Sequence, residues 1–187
     1  AFRIPNTFRR LFAEGTFNAA FVPSYTSELA QGKKKSNIFA NEIFNLLLCC
    51  LLFLVFLIEV FMPIFVSLIA PGFVGNTEKI KLAVDLTRIT FPFLLFVSLS
   101  SFFAGILNSN NKFAAAAAAP IILNIILIIS LALSFILNLD YAKQLSYGVT
   151  LAGVIQLLFL IYATKKFYKP AFNFNLRFNS KVKFFFK

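Results

Sequence analysis

Apolar residues along this chain come in long runs rather than at the alternating or three-to-four spacing of a soluble fold. Four runs, residues 46–69, 89–107, 113–139 and 145–163, approach or exceed the roughly 20 residues that an α-helix needs to cross about 30 Å of hydrocarbon. The breaks between them carry helix-stopping residues. Ala70-Pro71-Gly72-Phe73 closes the first run, and Asn108-Ser109-Asn110-Asn111-Lys112 makes a short polar turn after the second. Proline and glycine together end a helix. The second helix is expected to begin ahead of its apolar run near Thr77, where threonine followed by Glu78 reads as an N-cap. The pattern predicts an all-α, polytopic transmembrane helix bundle with four full spans.

The first 22 residues are different. Phe2, Ile4, Phe8, Leu11 and Phe12 are mixed with Pro5, Asn6, Arg9, Arg10 and Glu14, a pattern that hydropathy reads as amphipathic or interfacial. Pro23 and the polar stretch 24–27 are expected to break this segment. The organisation expected is therefore an interfacial segment over 1–31 and a basic loop over 32–37. Four helices follow over 38–164, then a basic linker over 165–187.

Composition supports the membrane reading: 59% of residues are hydrophobic, 13% are charged, and mean hydropathy is +0.83. A soluble domain is nearer a quarter charged. The net charge of +11 would suggest nucleic acid in a soluble protein. Here the cations sit in the gaps and at the ends, without the interleaved aromatics of a single-strand binding groove, so no nucleic-acid partner is expected. The positive-inside rule gives them a topological meaning. With the 32–37 loop cytoplasmic, eleven cations fall on that side: Lys33, Lys34, Lys35, Lys112 and those from Lys165 onward. Four (Lys79, Lys81, Arg88 and Lys143) fall on the other. Four spans also return the chain to the side on which it started.

Covalent and metal chemistry find little material. There is no histidine, and the two cysteines, Cys49 and Cys50, are adjacent on one helix, where a mutual disulfide is geometrically implausible. Neither a metal nor a cofactor is expected. An intramembrane enzyme is disfavoured, since no clustered acid pair is present for acid–base work. The chain is expected to be part of a longer one, because it opens at Ala1 without methionine and closes on Lys183-Phe184-Phe185-Phe186-Lys187, an approach to a further helix.

Polar groups within the spans invite a reason, because an ionisable residue in hydrocarbon costs about 2.5–3.5 kcal/mol by insertion scales. Glu59, near the middle of the first run, is either a proton- or cation-coupling carboxylate facing a watery cavity or the partner of a basic residue on a neighbouring helix. Asn124 and Gln156 either line a pathway or make interhelical hydrogen bonds. Pro92 and Pro120 are kinks that shape a cavity or are simply tolerated. The alanines over 114–119 are expected to mark a close helix–helix face. Arg9 and Arg10 offer planar bidentate donors suited to phosphate oxygens, or anchor a helix end in the headgroups.

The stretch Phe2-Arg3-Ile4-Pro5-Asn6-Thr7-Phe8-Arg9-Arg10-Leu11-Phe12-Ala13-Glu14-Gly15, with the later Phe21-Val22-Pro23, resembles the signature of MurJ/MviN-type lipid II flippases. These belong to the multidrug/oligosaccharidyl-lipid/polysaccharide exporter superfamily. Further matches run in order through Ala70-Pro71-Gly72-Phe73, Ile89-Thr90-Phe91-Pro92-Phe93, Gly105-Ile106-Leu107-Asn108, Ala119-Pro120 and Asn124. The resemblance implies a fourteen-helix, two-lobed transporter of the bacterial inner membrane. It would move the lipid-linked peptidoglycan precursor by alternating access, with that precursor and membrane lipids as partners. Residues 1–15 would be the end of the second, cavity-lining helix and the four spans helices three to six. The first helix and the carboxyl-terminal lobe would lie outside this chain. Arg9 and Arg10 would match the arginine pair that handles the pyrophosphate, with Arg3, Asn6, Pro5 and Glu14 around it. Two rivals are a sister exporter of other polyprenyl-linked glycans or small cations, and a non-transporting scaffold whose basic tail recruits a partner.

Overall fold

The computed structural model describes residues 16–73 and 75–171. The arginine motif, with Arg3, Asn6, Arg9, Arg10 and Glu14, lies outside the described residues, as does the chain beyond Ala171. Every regular element among the described residues is helical. They are α1 (Thr16–Ala30), α2 (Lys33–Val60), α3 (Met62–Ile69), a single 3₁₀ turn (Pro71–Phe73), α4 (Thr77–Thr90), α5 (Phe93–Ser109), α6 (Phe113–Ile136) and α7 (Tyr141–Thr164). Lys33–Val60, the combined limb Thr77–Ser109, Phe113–Ile136 and Tyr141–Thr164 are each long and apolar enough to cross a membrane.

Several boundaries depart from the hydropathy pattern. Pro23 does not end α1, which runs through it to Ala30. The hydroxyls of Ser24 and Thr26 donate to the Ala20 and Val22 carbonyls around the break, the kind of support that lets proline persist in membrane helices. The basic loop expected over 32–37 is instead a tight turn at Gln31-Gly32, with the lysines in the first turn of α2. Gly32 has φ +123°, a conformation that residues with a Cβ rarely take, so glycine completes the reversal and frees the lysines to be helical. The expected run over 46–69 is two helices, because Pro63 has no N–H to continue the α2 ladder and the chain breaks at Phe61. The N-cap of α4 is Asn76 rather than Thr77: its side-chain oxygen accepts from the Lys79 N–H at 3.0 Å.

The limb formed by α4 and α5 is the centre of the bundle. In its most apolar window 72% of residues are buried, against 17% for α6 at the periphery. Helices α1, α2, α6 and α7 all contact α5, and α7 also packs on α4 and α6. One link is explicit: the Thr150 hydroxyl donates to the Ile89 carbonyl. Three glycines set close approaches, one of them Gly153 on α7, which meets Phe93 of α5. A Cβ on Gly105 would lie 2.8 Å from a Phe21 ring carbon, and one on Gly148 would lie 2.9 Å from the Ser130 Cβ. Small residues at such points let helix backbones approach, which in lipid is a main source of helix association. Outward faces keep large apolar side chains exposed, Phe53, Phe56, Ile128 and Phe135 among them, as a lipid-facing surface requires.

Because the spans alternate, the α1–α2 turn, the α5–α6 turn and the segment after α7 gather at one end, with Lys33, Lys34, Lys35, Lys112, Lys165, Lys166 and Lys169. A small polar knot fastens this basic end. The Tyr168 hydroxyl donates to the Asn41 side-chain oxygen at 2.6 Å, the Ala171 N–H donates to the same oxygen at 3.1 Å, and the Asn45 amide donates to the Ala171 carbonyl at 3.3 Å. Asn41 and Asn45 are one helical turn apart on α2, so both meet the same loop.

Candidate functional site: a polar cavity beside α1

Helix α5 presents two opposed stripes. At about 100° per residue, Leu95, Leu99, Phe102, Phe103 and Ile106 share one side, while Val97, Ser100, Ser101, Ala104 and Asn108 share the other. The first stripe enters an aromatic core. Phe102 packs at a tilt against Phe21 at 5.0 Å between centroids and Phe44 at 5.6 Å, and edge-to-face against Phe103 at 5.3 Å and Tyr168 at 5.8 Å. The second stripe has no large side chain to offer, and a cavity of about 390 Å³ lies against it.

Its remaining walls come from Asn18 on α1, from Phe113, Ala116, Ala117, Ala119 and Pro120 on α6, and from Gln156 and Leu160 on α7. The polar groups converge from three helices. Asn18 donates its amide N–H to the Ser101 hydroxyl at 2.9 Å. Gln156 is buried, and the Ser100 hydroxyl is buried without a hydrogen-bond partner. Leaving a hydroxyl unsatisfied in an apolar setting costs about 1–3 kcal/mol, so its placement against a hollow marks a surface made for something polar. Gly105 shapes the same wall: a Cβ there would come within 2.9 Å of the Asn18 side-chain oxygen.

The alanines over 114–119 do not form the close helix–helix face expected of them. Only Ala119 is buried, and Ala116, Ala117 and Ala119 line the cavity. Small side chains here leave space instead of closing it, while the close approach of α6 to α7 is made further along at Ser130 and Gly148. Pro120 is in the cavity wall, whereas Pro92 sits at the α4–α5 junction.

Of the three intramembrane polar residues singled out from sequence, Gln156 lines this cavity, whereas Asn124 and Glu59 do not. Asn124 is exposed on α6. Glu59 is the next-to-last residue of α2 rather than mid-span, because that helix begins at Lys33. It is half-buried, no hydrogen bond reaches its Oε1, and Arg88 on α4 is the cation whose charge acts on it. Cys49 and Cys50 are free thiols. Among the described residues no cluster of three metal-ligating side chains occurs. The cavity residues Ser100, Ser101 and Asn108 were not singled out from sequence. The signal that finds them is their helical spacing opposite the phenylalanines of the same apolar run, which a search for charges passes over.

An all-helical bundle with four membrane-length apolar helices and a partly polar cavity between them defines a multi-pass membrane protein. Compared with known families, the whole chain, residues 1–187, matches the one described as Lipid II flippase MurJ. It belongs to that family. It is 42% identical over 166 residues to a probable lipid II flippase MurJ of Rickettsia prowazekii (strain Madrid E), covering 89% of this chain and 32% of the relative. With the protein of the same description from Rhizobium meliloti (strain 1021) it shares 46% over 162 residues, covering 84% and 30%. Among solved structures it matches lipid II flippase MurJ in an inward closed conformation, with a TM-score of 0.78 and 28% identity over 98% of this chain and 38% of that one. The chain thus spans about a third of the length of the curated relatives it matches.

Proposed function

We propose that this chain is part of a transporter that moves a lipid-linked peptidoglycan precursor, lipid II, across the bacterial inner membrane by alternating access. The observation that carries the reading is the position of α1. The helix follows directly on the segment bearing Arg9 and Arg10, and its own Asn18 enters the polar cavity with Ser100, Ser101 and Gln156. A polar hollow inside a lipid-facing bundle suits a cargo with a large hydrophilic head and a tail that stays in the bilayer.

In this mechanism Arg9 and Arg10 grip the diphosphate, with Arg3, Asn6 and Glu14 holding the geometry around them. Guanidinium groups keep their charge and offer two parallel N–H donors to each phosphate. Shelter from bulk water strengthens the attraction. No bond in the cargo is made or broken, so the work is binding and conformational exchange rather than covalent catalysis. The basic end carrying Lys33, Lys112 and Lys165 faces the cytoplasm under the positive-inside rule.

The test is complementation in cells depleted of their peptidoglycan flippase, using the full-length protein. Arg9→Ala and Arg10→Ala should each lower lipid II translocation about tenfold or more, since a charged hydrogen bond is worth about 1.5–3 kcal/mol. Arg→Lys should retain part of the activity. Cysteines placed at positions 9 and 10 should react with a membrane-impermeant thiol reagent. Full activity of both alanine variants would sink the mechanism and favour a scaffold role.

A further inference from the structure

A second cavity lies at the basic end, on the flank of α6 and α7. Its volume is about 620 Å³, and its walls divide by chemistry. Lys112, Lys165 and Lys166 supply its charge; Leu107, Ala114 and Ala163 are among its apolar residues. The Lys165 ammonium is held 3.8 Å above the centre of the Tyr162 ring, a cation–π contact that fixes the charge at the rim. Phe113 and Phe167 add aromatic surface.

We propose that this cavity is a binding site for an acidic phospholipid, its phosphate among Lys112, Lys165 and Lys166 and the start of its acyl chains along the alanines of α6. The depth fits. Lys112 immediately precedes the span Phe113–Ile136 and Lys165 immediately follows the span Tyr141–Thr164, so the lysines stand at the border of the hydrocarbon, where lipid phosphates lie. The order of chemistries also fits. From the lysines inward, the wall passes through Phe113 to Ala114 and Ala115, and the exposed Ile121 and Ile125 continue α6 as a surface for a hydrocarbon chain. Helix α6 begins without a side-chain cap, and its free N–H groups favour an anion at the same rim.

The chain's own continuation is an unsuitable occupant. Residues 172–187 carry Arg177, Lys181, Lys183 and Lys187 and no acidic residue, so their charge is that of the cavity. None of the residues lining the site belongs to the arginine motif, and the proposal does not depend on the transport reading.

The test is native mass spectrometry of the full-length protein released from nanodiscs containing phosphatidylcholine and phosphatidylglycerol in equal amounts. The expected result is one retained phosphatidylglycerol per protein in preference to phosphatidylcholine. The preference should fall about fivefold for each lysine replaced by glutamine, and on the order of a hundredfold in the triple variant K112Q/K165Q/K166Q, at about 1 kcal/mol per basic residue near the surface. The triple arginine variant K112R/K165R/K166R should keep the preference, which separates loss of charge from loss of fold. Retention of the two lipids in bulk proportion would overturn the proposal, and so would an undiminished preference in the glutamine triple. Displacement of the lipid by millimolar inorganic phosphate would also overturn it, by making the site one for a soluble anion.

Discussion

The two sides of α5 receive the same backbone, the same depth in the bundle and nearly the same apolar sequence, yet they are finished in opposite ways. One side is filled: Phe102, Phe103 and Ile106 are at most 1% exposed, among rings contributed by α1, α2 and the loop after α7. The other side is left open, with serines, an alanine and an asparagine around a 390 Å³ hollow. In water the filled side would be explained by the hydrophobic effect. In lipid that force between helices is largely absent, and shape-matched packing must replace it. Rigidity is therefore concentrated on one side of the central helix, and the other is free to be polar, which places a candidate site on a well-held support.

The largest expected effect comes from breaking the filled side. Phe102→Ala removes a ring that packs against four others. In soluble cores such a change costs about 3–5 kcal/mol, of which the cavity part survives in lipid, so about 2–3 kcal/mol is expected. Thermal unfolding in a fixed detergent or nanodisc measures it. A loss below about 0.5 kcal/mol would mean that the aromatic core is not what holds the bundle.

A smaller effect is expected where the filled side meets water. Tyr168 covers Phe102 and Phe103 and donates to Asn41. Tyr168→Phe should cost about 1 kcal/mol at neutral pH. Burial, with a lesser contribution from Tyr25, pushes the Tyr168 phenol above its ordinary value. The folded state therefore keeps its proton where the unfolded chain gives it up. The native protein should have its full Tyr168 contribution below about pH 10 and lose it progressively above, by up to about 1.4 kcal/mol per pH unit. The phenylalanine variant should lack that alkaline decline. Parallel pH profiles for the two proteins would remove Tyr168 from the account.

Much of this architecture is legible in the sequence, for a simple reason. Length and apolarity decide membrane spans, so the four spans are visible from composition along the chain. What hydropathy does not resolve is where polar or breaking residues are tolerated. Pro23 stays helical with its neighbours' hydroxyls around it, the three lysines after Gly32 are helical because the glycine alone makes the turn, and Pro63 splits a run that reads as continuous. The site is less legible still. Glu59 attracts notice because it is charged, yet Ser100 and Ser101 pass for ordinary span residues until the helical phase of Phe102 and Phe103 assigns them the opposite side. The alanines over 114–119 show the limit most plainly. Their composition fits a tight interface and a cavity wall equally well, and only the third dimension separates the two.

Neighbouring serines give the finest test of the open side, because the contrast predicts opposite signs for them. Ser101 accepts a hydrogen bond from Asn18, and interhelical bonds of this kind are worth about 0.6 kcal/mol in membranes. Ser101→Ala should therefore destabilise the protein by about that much. Ser100 is equally buried and its hydroxyl is unsatisfied, so Ser100→Ala should relieve desolvation and stabilise by about 0.5–1 kcal/mol. On the function proposed above, the same Ser100→Ala change in the full-length protein should also slow lipid II translocation in reconstituted vesicles. A gain in stability with a loss of activity is the mark of a group kept for function at a cost to the fold. If Ser100→Ala instead destabilises as Ser101→Ala does, the hydroxyl is structural, and the open side of α5 is packing of another kind rather than the wall of a site.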